Sequence, residues 1–334
     1  MKVAKVTAYG GLEGIVFADV PDPVAKAGEV LVRVRTSPVT AGDVRIRSGR
    51  VPRGYGTILR LLFGWNAPRN PVQGWSFAGQ VLGGDGFVPG ARVFGITGFQ
   101  GGAHGEVVCV PLKQVLPMPD TMSFDEAAAF WFGGLTAAEF LIDKAQVRSG
   151  DRVLVNGATG AVGSAAVQIA ASLGAVVTAV CSAANTDLAQ QLGAVAVVDY
   201  RMAAPLGTFD VILDVIGTLS WTKAQPLLAP GGRLCLITAD LAQTLGAALR
   251  PGRNGRRVIT GTNGDGRIKM ERLLALYDSG AYRPVVGQIY PFAEIRAAHL
   301  RAESFSKPGT LVLRITDLPL SNTTDPFQTK DPPT

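Results

Sequence analysis

Apolar residues are spaced in two ways along this chain. Between about residues 152 and 262 they come in short, β-branched runs at 152–156, 176–181, 194–199, 209–216, 232–238 and 257–262, each predicting a buried strand. Small, apolar segments between them predict helices over 161–173, 186–192 and 220–228. Apolar strands alternating with helices describe a doubly wound α/β domain with a parallel sheet. Elsewhere the pattern is tighter. Strands predicted over 15–20, 30–35, 77–82, 92–96 and 104–111 are punctuated by Gly and Pro, the style of a folded β-barrel-like body. The chain returns to that style after about 270, with Tyr290-Pro291-Phe292, a helix over 294–302 and a strand over 310–315. A doubly wound domain inserted into a split β domain follows. Residues 123–144 are the expected joining helix, with Ser123 and Glu126 at capping-box spacing. The expected boundaries are 1–129, 130–270 and 271–316, with a disordered Pro- and Thr-rich tail over 317–334.

Between the first strand and helix of the α/β part stands Gly157-Ala158-Thr159-Gly160-Ala161-Val162-Gly163. Gly157 suits a tight turn, Gly160 lets a ligand approach the main chain, and Gly163 lets the helix pack on the strand. The first N–H groups of the helix then face outward as a pyrophosphate site. Glycines that serve packing alone are the competing reading. The flanks favour a dinucleotide, because strand 176–181 completes a β-α-β unit of about 30 residues. After it comes Cys181-Ser182-Ala183-Ala184-Asn185, without the acid that an NAD site offers the ribose 2'-hydroxyl. Ser182 and Asn185 can donate to a 2'-phosphate, so NADP is the expected cofactor. They can also cap the next helix, and the two roles are compatible.

The 334 residues have room for about two domains. No apolar run is long enough to span a bilayer and MKVAKVTAYGG reads as a strand start without a signal-peptide core, so a cytoplasmic protein is expected. Cys109, Cys181 and Cys235 lie scattered in apolar strands and read as buried free thiols. The net charge of +6 gathers at Arg45, Arg47, Arg50, Arg53 and Arg60, and at Arg250, Arg253, Arg256 and Arg257. Neither cluster is interleaved with aromatics as a base-stacking surface requires, so both read as solvated faces, with no nucleic-acid or membrane partner. An anionic cofactor would benefit from the field. No Gly-x-Ser-x-Gly elbow follows a strand, which excludes a serine hydrolase of that kind. His104 and His299 read as local hydrogen-bonding residues, and no metal site is expected.

GEVLVRVRTSPVTAGDVRIRSG, GWSFAGQVL, GGAHGEVVCVP, DEAAAFWFGGLTAAEFL and VNGATGAVGSAAVQIA, followed by LGAVAVVDYR and FDVILDVIG, stand in family order. Over about residues 1–316 the chain resembles the zinc-free quinone oxidoreductase branch of the medium-chain dehydrogenase/reductase superfamily. The resemblance implies a Rossmann domain inserted into a split GroES-like β-barrel domain. Zinc-dependent relatives carry Cys-His where this chain has Thr40-Ala41, Gly-His-Glu where it has Gly74-Trp75-Ser76, and a cysteine-rich lobe where Cys109 stands alone. Losing that Lewis acid makes simple alcohol oxidation an unfavoured chemistry.

The resemblance implies hydride delivery from NADPH to a quinone or an α,β-unsaturated carbonyl compound, with the cofactor carrying the chemistry. It points to Thr40, where the family commonly has Asn near the nicotinamide, and to Asp43 and Ser76 as catalytic candidates. For Asp43 a structural bond to the backbone is an equal alternative. Trp75 is expected beside the acceptor pocket. The implied cofactor contacts are Thr136, the turn from Gly157 to Gly163, Ser182, Asn185, Tyr200 beside the 2'-phosphate, and Ile216, Gly217, Ile237, Thr238 and Thr262 at strand ends. A homodimer paired through strand 257–262 is expected. Two alternatives stand beside this reading, a biosynthetic enoyl reductase acting on a polyketide-like intermediate and a non-catalytic NADPH-binding protein.

Overall fold

The computed structural model describes residues 1–202, 207–249, 253–261, 266–304 and 307–316; the expected tail and Thr262 lie outside them. Six strands form an all-parallel sheet in the order Ala196–Asp199, Val176–Cys181, Arg152–Asn156, Phe209–Asp214, Leu228–Leu236, Arg257–Ile259. The order reverses between Arg152–Asn156 and Phe209–Asp214, which opens a crevice at the carboxyl ends of those strands. Val153, Leu154, Val155, Val211, Ile212 and Leu213 are all fully buried, which explains runs that are apolar on both faces. Helix Ala161–Ser172 covers the sheet with mostly small side chains and meets helix Phe124–Ala138 closely. A Cβ on Gly133 would lie 2.1 Å from the Ala161 carbonyl oxygen.

The second body is a seven-stranded sheet. Its path runs Val286–Pro291, Thr310–Arg314, Glu29–Val39, Ser76–Gly84, Arg92–Ile96, Val115–Pro117, and Val107–Pro111 also pairs with Glu29–Val39. Thr310–Arg314 runs antiparallel to Glu29–Val39, so this sheet is built from both ends of the chain around the α/β insertion. Lys2–Val6 and Ile15–Asp19 form a separate hairpin. No described helix is long and apolar enough to cross a membrane.

Several expected elements differ. The joining helix opens with both capping-box bonds, Glu126 N–H to Ser123 Oγ at 3.2 Å and Ser123 N–H to Glu126 Oε2 at 2.8 Å. It stays α-helical only to Ala138; Glu139–Lys144 is a π-helical turn that seats the Glu139 carboxylate between Lys269 and Lys144. The helix expected over 220–228 is confined to Trp221–Ala224 and a 3-10 turn Gln225–Leu227, because Pro226 has no N–H to continue it. Leu228 already belongs to the next strand, which ends at Leu236. Helices Ala41–Ser48, Gly56–Phe63, Leu241–Leu249 and Arg267–Asp278 were not in the hydrophobic pattern. The solvated-face reading fails at Arg47. This residue is buried, donates to the Gly10 carbonyl at 2.6 Å and ion-pairs with Glu303, a partner 256 positions away. Burial also lowers the pKa of Arg45.

Candidate functional site

The glycine turn divides its work by position. Gly157 has φ 88°, and a Cβ there would stand 2.7 Å from Ile216 Cγ2. The Gly157 and Ala158 N–H groups both donate to the Val180 carbonyl at 3.0 Å, which pins the turn to the neighbouring strand. On Gly163 a Cβ would lie 1.9 Å from the Gly157 carbonyl oxygen, so the helix can approach only without a side chain. Gly160 is different. It is the N-cap of helix Ala161–Ser172, and a Cβ there meets only the Gly157 oxygen at 3.9 Å. At Gly160 the main chain is therefore open on the side a side chain would fill, at a helix N-terminus, a fit for a diphosphate.

Beside it, Asn185 Nδ2 donates to Thr159 Oγ1 and to Ser182 Oγ, both at 3.2 Å. Thr159, Ser182 and Asn185 thus form one polar cluster at the end of Val176–Cys181. Neither Ser182 nor Asn185 makes a side-chain capping bond to the turn or helix it precedes, so the capping role is not realised. Tyr200 is exposed, its N–H donating to the Cys181 carbonyl at 3.3 Å, and the Arg201 guanidinium carbon lies 5.4 Å from its ring centroid. Arg201 was not singled out from sequence. A cation directly after the tyrosine was the available signal.

Farther along the sheet edge, buried Asp214 organises the loop that carries Ile216 and Gly217. Its Oδ1 accepts from Gly217 N–H at 3.0 Å and Asn156 Nδ2 at 2.9 Å, and its Oδ2 from Leu219 N–H at 2.8 Å. Asn156 also donates to Thr218 Oγ1 at 2.8 Å. These polar ends of two apolar strands were missed. Gly217, at φ 79°, leaves room for Thr238, whose Oγ1 would be 2.4 Å from an added Cβ. Ile237 N–H donates to the Asp214 carbonyl at 3.1 Å. The Thr238 hydroxyl is buried and has no partner among the described residues.

On the β-body side, Thr40 and Asp43 bind each other. Thr40 Oγ1 donates to Asp43 Oδ2 at 2.6 Å and accepts from Asp43 N–H at 3.3 Å, while Thr40 N–H donates to the same carboxylate at 2.8 Å. This capping box starts helix Ala41–Ser48. Asp43 Oδ1 further accepts from Gly74 N–H at 3.2 Å, the backbone bond weighed above as the alternative to a catalytic role. Ser76 Oγ is buried without a partner among the described residues. Thr136 Oγ1 donates to the Phe132 carbonyl at 2.7 Å, and Gly42 lies against the Phe132 ring, so Thr136 and the Thr40 helix meet through Phe132.

Trp75 lines a cavity of about 390 Å³ with Ile46, Leu62, Phe63, Pro68 and Arg69. The two bodies touch through the returning strap. Gly309 N–H donates to the Thr159 carbonyl at 2.8 Å, and two residues earlier burial draws the pKa of Lys307 down to about 8, against a smaller opposing effect of Asp43. Lys307 is a further cation that sequence reasoning missed.

His104 Nε2 lies 3.0 Å from the Pro38 carbonyl, but His299 Nδ1 is buried without a partner among the described residues, so the expected local bond is absent there. Burial holds His299 neutral, its pKa well below the ordinary value. Burial likewise pushes the thiols of Cys235 and Cys109 up, to about 12 and about 11. Cys109 is only half-buried. Among the described residues no three His, Cys, Asp or Glu side chains gather as a metal ion requires.

Residues 26–120 match the alcohol dehydrogenase GroES-like domain and residues 192–313 match zinc-binding dehydrogenase. A zinc-type alcohol dehydrogenase-like protein of Schizosaccharomyces pombe is 33% identical over 238 residues, spanning 69% of this chain and 67% of its own. The spectinabilin polyketide synthase system protein NorB of Streptomyces orinoci is 31% identical over 91% of this chain, which spans 14% of that larger protein. The quinone oxidoreductase of Thermus thermophilus, solved also in complex with NADPH, superposes with a TM-score of 0.75 at 30% identity, covering 94% of this chain and all of the other.

Proposed function

Because the chain belongs to the medium-chain dehydrogenase/reductase superfamily and is an oxidoreductase of that family, we propose that it passes hydride from NADPH to a quinone or an α,β-unsaturated carbonyl compound without a metal. The observation that carries this reading is the open Gly160 cradle beside an acid-free cluster of Thr159, Ser182 and Asn185. When bound there, the reduced nicotinamide supplies the hydride. The chain's own residues bind and orient. Turn N–H groups hold the diphosphate, and Ser182, Asn185 and Arg201 meet the 2'-phosphate while Tyr200 flanks it. The Thr238 hydroxyl is an unspent donor for the cofactor. The cavity beside Trp75, walled by Ile46, Leu62 and Phe63 with Asn70, Gln73 and Gln100 among its polar lining, positions the acceptor. Negative charge growing on the acceptor oxygen needs a donor. The Thr40 proton is committed to Asp43, so of the two candidate hydroxyls on the β-body side Ser76 is the one without a partner among the described residues.

Zinc does not fit this chain. Thr40, Ala41, Trp75 and Ser76 stand where zinc-dependent relatives carry ligands, and none is a good donor for it. NADPH oxidation should therefore proceed with quinones and enones, survive chelator treatment, and come from protein with less than stoichiometric zinc. Elemental analysis finding one tightly held zinc per chain, whose removal abolishes turnover, would refute it. The relative in a polyketide synthase favours a second reading, an enoyl reductase. Turnover of enoyl thioesters with quinones inert would establish that one, and tight NADPH binding with no acceptor reduced would mark a binding protein.

NADPH is expected to bind more tightly than NADH by about tenfold or more, roughly 1.4 kcal/mol, since Ser182 to Asn185 carry no acid where an NAD site offers one to the ribose. Ser182→Asp should reverse the order in fluorescence titrations; equal affinities in the parent protein would sink the assignment. We also propose a homodimer through Arg257–Ile259, the edge strand of the parallel sheet. Light scattering at micromolar concentration should report two chains per particle, and a stable monomer contradicts it.

A further inference from the structure

Residues 44–84 contain six arginines and no Asp or Glu. In their middle lies helix Gly56–Phe63, GTILRLLF, whose only buried side chain is Leu59. Ile58 is 40%, Leu61 60% and Leu62 63% exposed, and Trp65 just beyond is 61% exposed. Arg50, Arg53, Arg60 and Arg69 are all exposed around them. Leu245, 55% exposed, belongs to an adjoining element: the N–H of Leu241, which opens helix Leu241–Leu249, donates to the Arg53 carbonyl at 3.0 Å, and Tyr55 Oη donates to Thr244 Oγ1 at 2.9 Å. The neighbouring acid, Asp240, is occupied locally, its Oδ1 accepting from Gln243 N–H at 2.7 Å. A soluble surface seldom leaves leucines, an isoleucine and a tryptophan together in water without a partner.

We propose that helix Gly56–Phe63 with Trp65 docks this protein on the surface of an anionic lipid bilayer. An apolar helix lying in the interfacial plane takes its leucines and tryptophan into the headgroup and upper acyl region, and the surrounding guanidinium groups pair with lipid phosphates. The charge pattern selects this occupant. A second copy of the chain on the same patch would set the two groups of arginines against each other across an isologous contact. Nucleic acid shares the negative charge but gives exposed leucines nothing to bury against. Leu62 and Phe63 also line the 390 Å³ cavity, so the lipid-facing helix is itself a wall of the pocket. This is a surface contact and involves no spanning segment.

The test is sedimentation of the full chain with vesicles of phosphatidylcholine alone or mixed with phosphatidylglycerol. Binding to the mixed vesicles should exceed binding to phosphatidylcholine by about tenfold or more and weaken as salt is raised. The double variant Leu61→Glu, Trp65→Ser changes two exposed positions outside the cavity lining. It should lose about tenfold in vesicle binding while its circular dichroism and NADPH affinity match the parent. Equal sedimentation with both lipids, or a variant that binds as well as the parent, overturns the proposal. So does a patch that holds single-stranded DNA but not vesicles, or a variant whose single change is a lost dimer.

Discussion

Gly160→Val should weaken NADPH binding by about 2 kcal/mol or more, the scale of several charge-assisted hydrogen bonds, and leave the fold intact. The backbone there has φ −74° and ψ 179°, extended geometry that a valine adopts without strain. An added Cβ touches nothing closer than 3.9 Å, so the protein itself has room for it. What the branched side chain fills is the approach to the main chain, the space a diphosphate needs. Fluorescence titration beside a melting curve decides the matter. A variant that binds NADPH like the parent but melts far lower would show that Gly160 serves packing and that the cradle is not a cofactor site.

Three residues on, Gly163→Ala should do the reverse damage, with a loss of about 3 kcal/mol or more in stability. Its Cβ would stand 1.9 Å from the Gly157 oxygen and 2.8 Å from two Ala158 backbone atoms. That backbone cannot retreat cheaply, because the Gly157 and Ala158 N–H groups are already bonded to the Val180 carbonyl. The melting temperature should fall on the order of 5–10 °C, with any loss of affinity following from the damaged turn. Melting with the parent would mean that the turn shifts freely and that helix and strand are not held as close as described.

Strands such as Arg152–Asn156, Val176–Cys181 and Arg92–Ile96 were legible to the residue, because burial and turn glycines mark both their content and their ends. Helix Gly56–Phe63 was not, since its apolar side chains point outward and the segment lies among Gly and Pro. Thr40 and Asp43 show how one pair of residues can carry two signals. Thr-x-x-Asp is capping-box spacing, and the family pattern also points to both residues as catalytic candidates. Interactions between distant parts of the chain left no local trace. The Arg47–Glu303 pair turned a seeming surface charge into a buried one, and Asn156 with Asp214 became a unit only when parallel register set them side by side. The glycine turn was readable because its three constraints fall within seven residues.

The bond from Gly309 to Thr159 also bears on how the molecule is assembled during synthesis. Val107–Pro111 covers the Glu29–Arg33 half of strand Glu29–Val39, but the Thr36–Val39 half is covered by Thr310–Arg314, so that half waits unpaired while the whole α/β insertion is made. The inserted sheet is contiguous in sequence and needs no such delay. Its Thr159–Gly160 turn, however, gains its last neighbour from the same late segment, through the bridge between Gly160 and Gly309. Sealing the host sheet and finishing the glycine turn are thus one event in the life of the nascent chain.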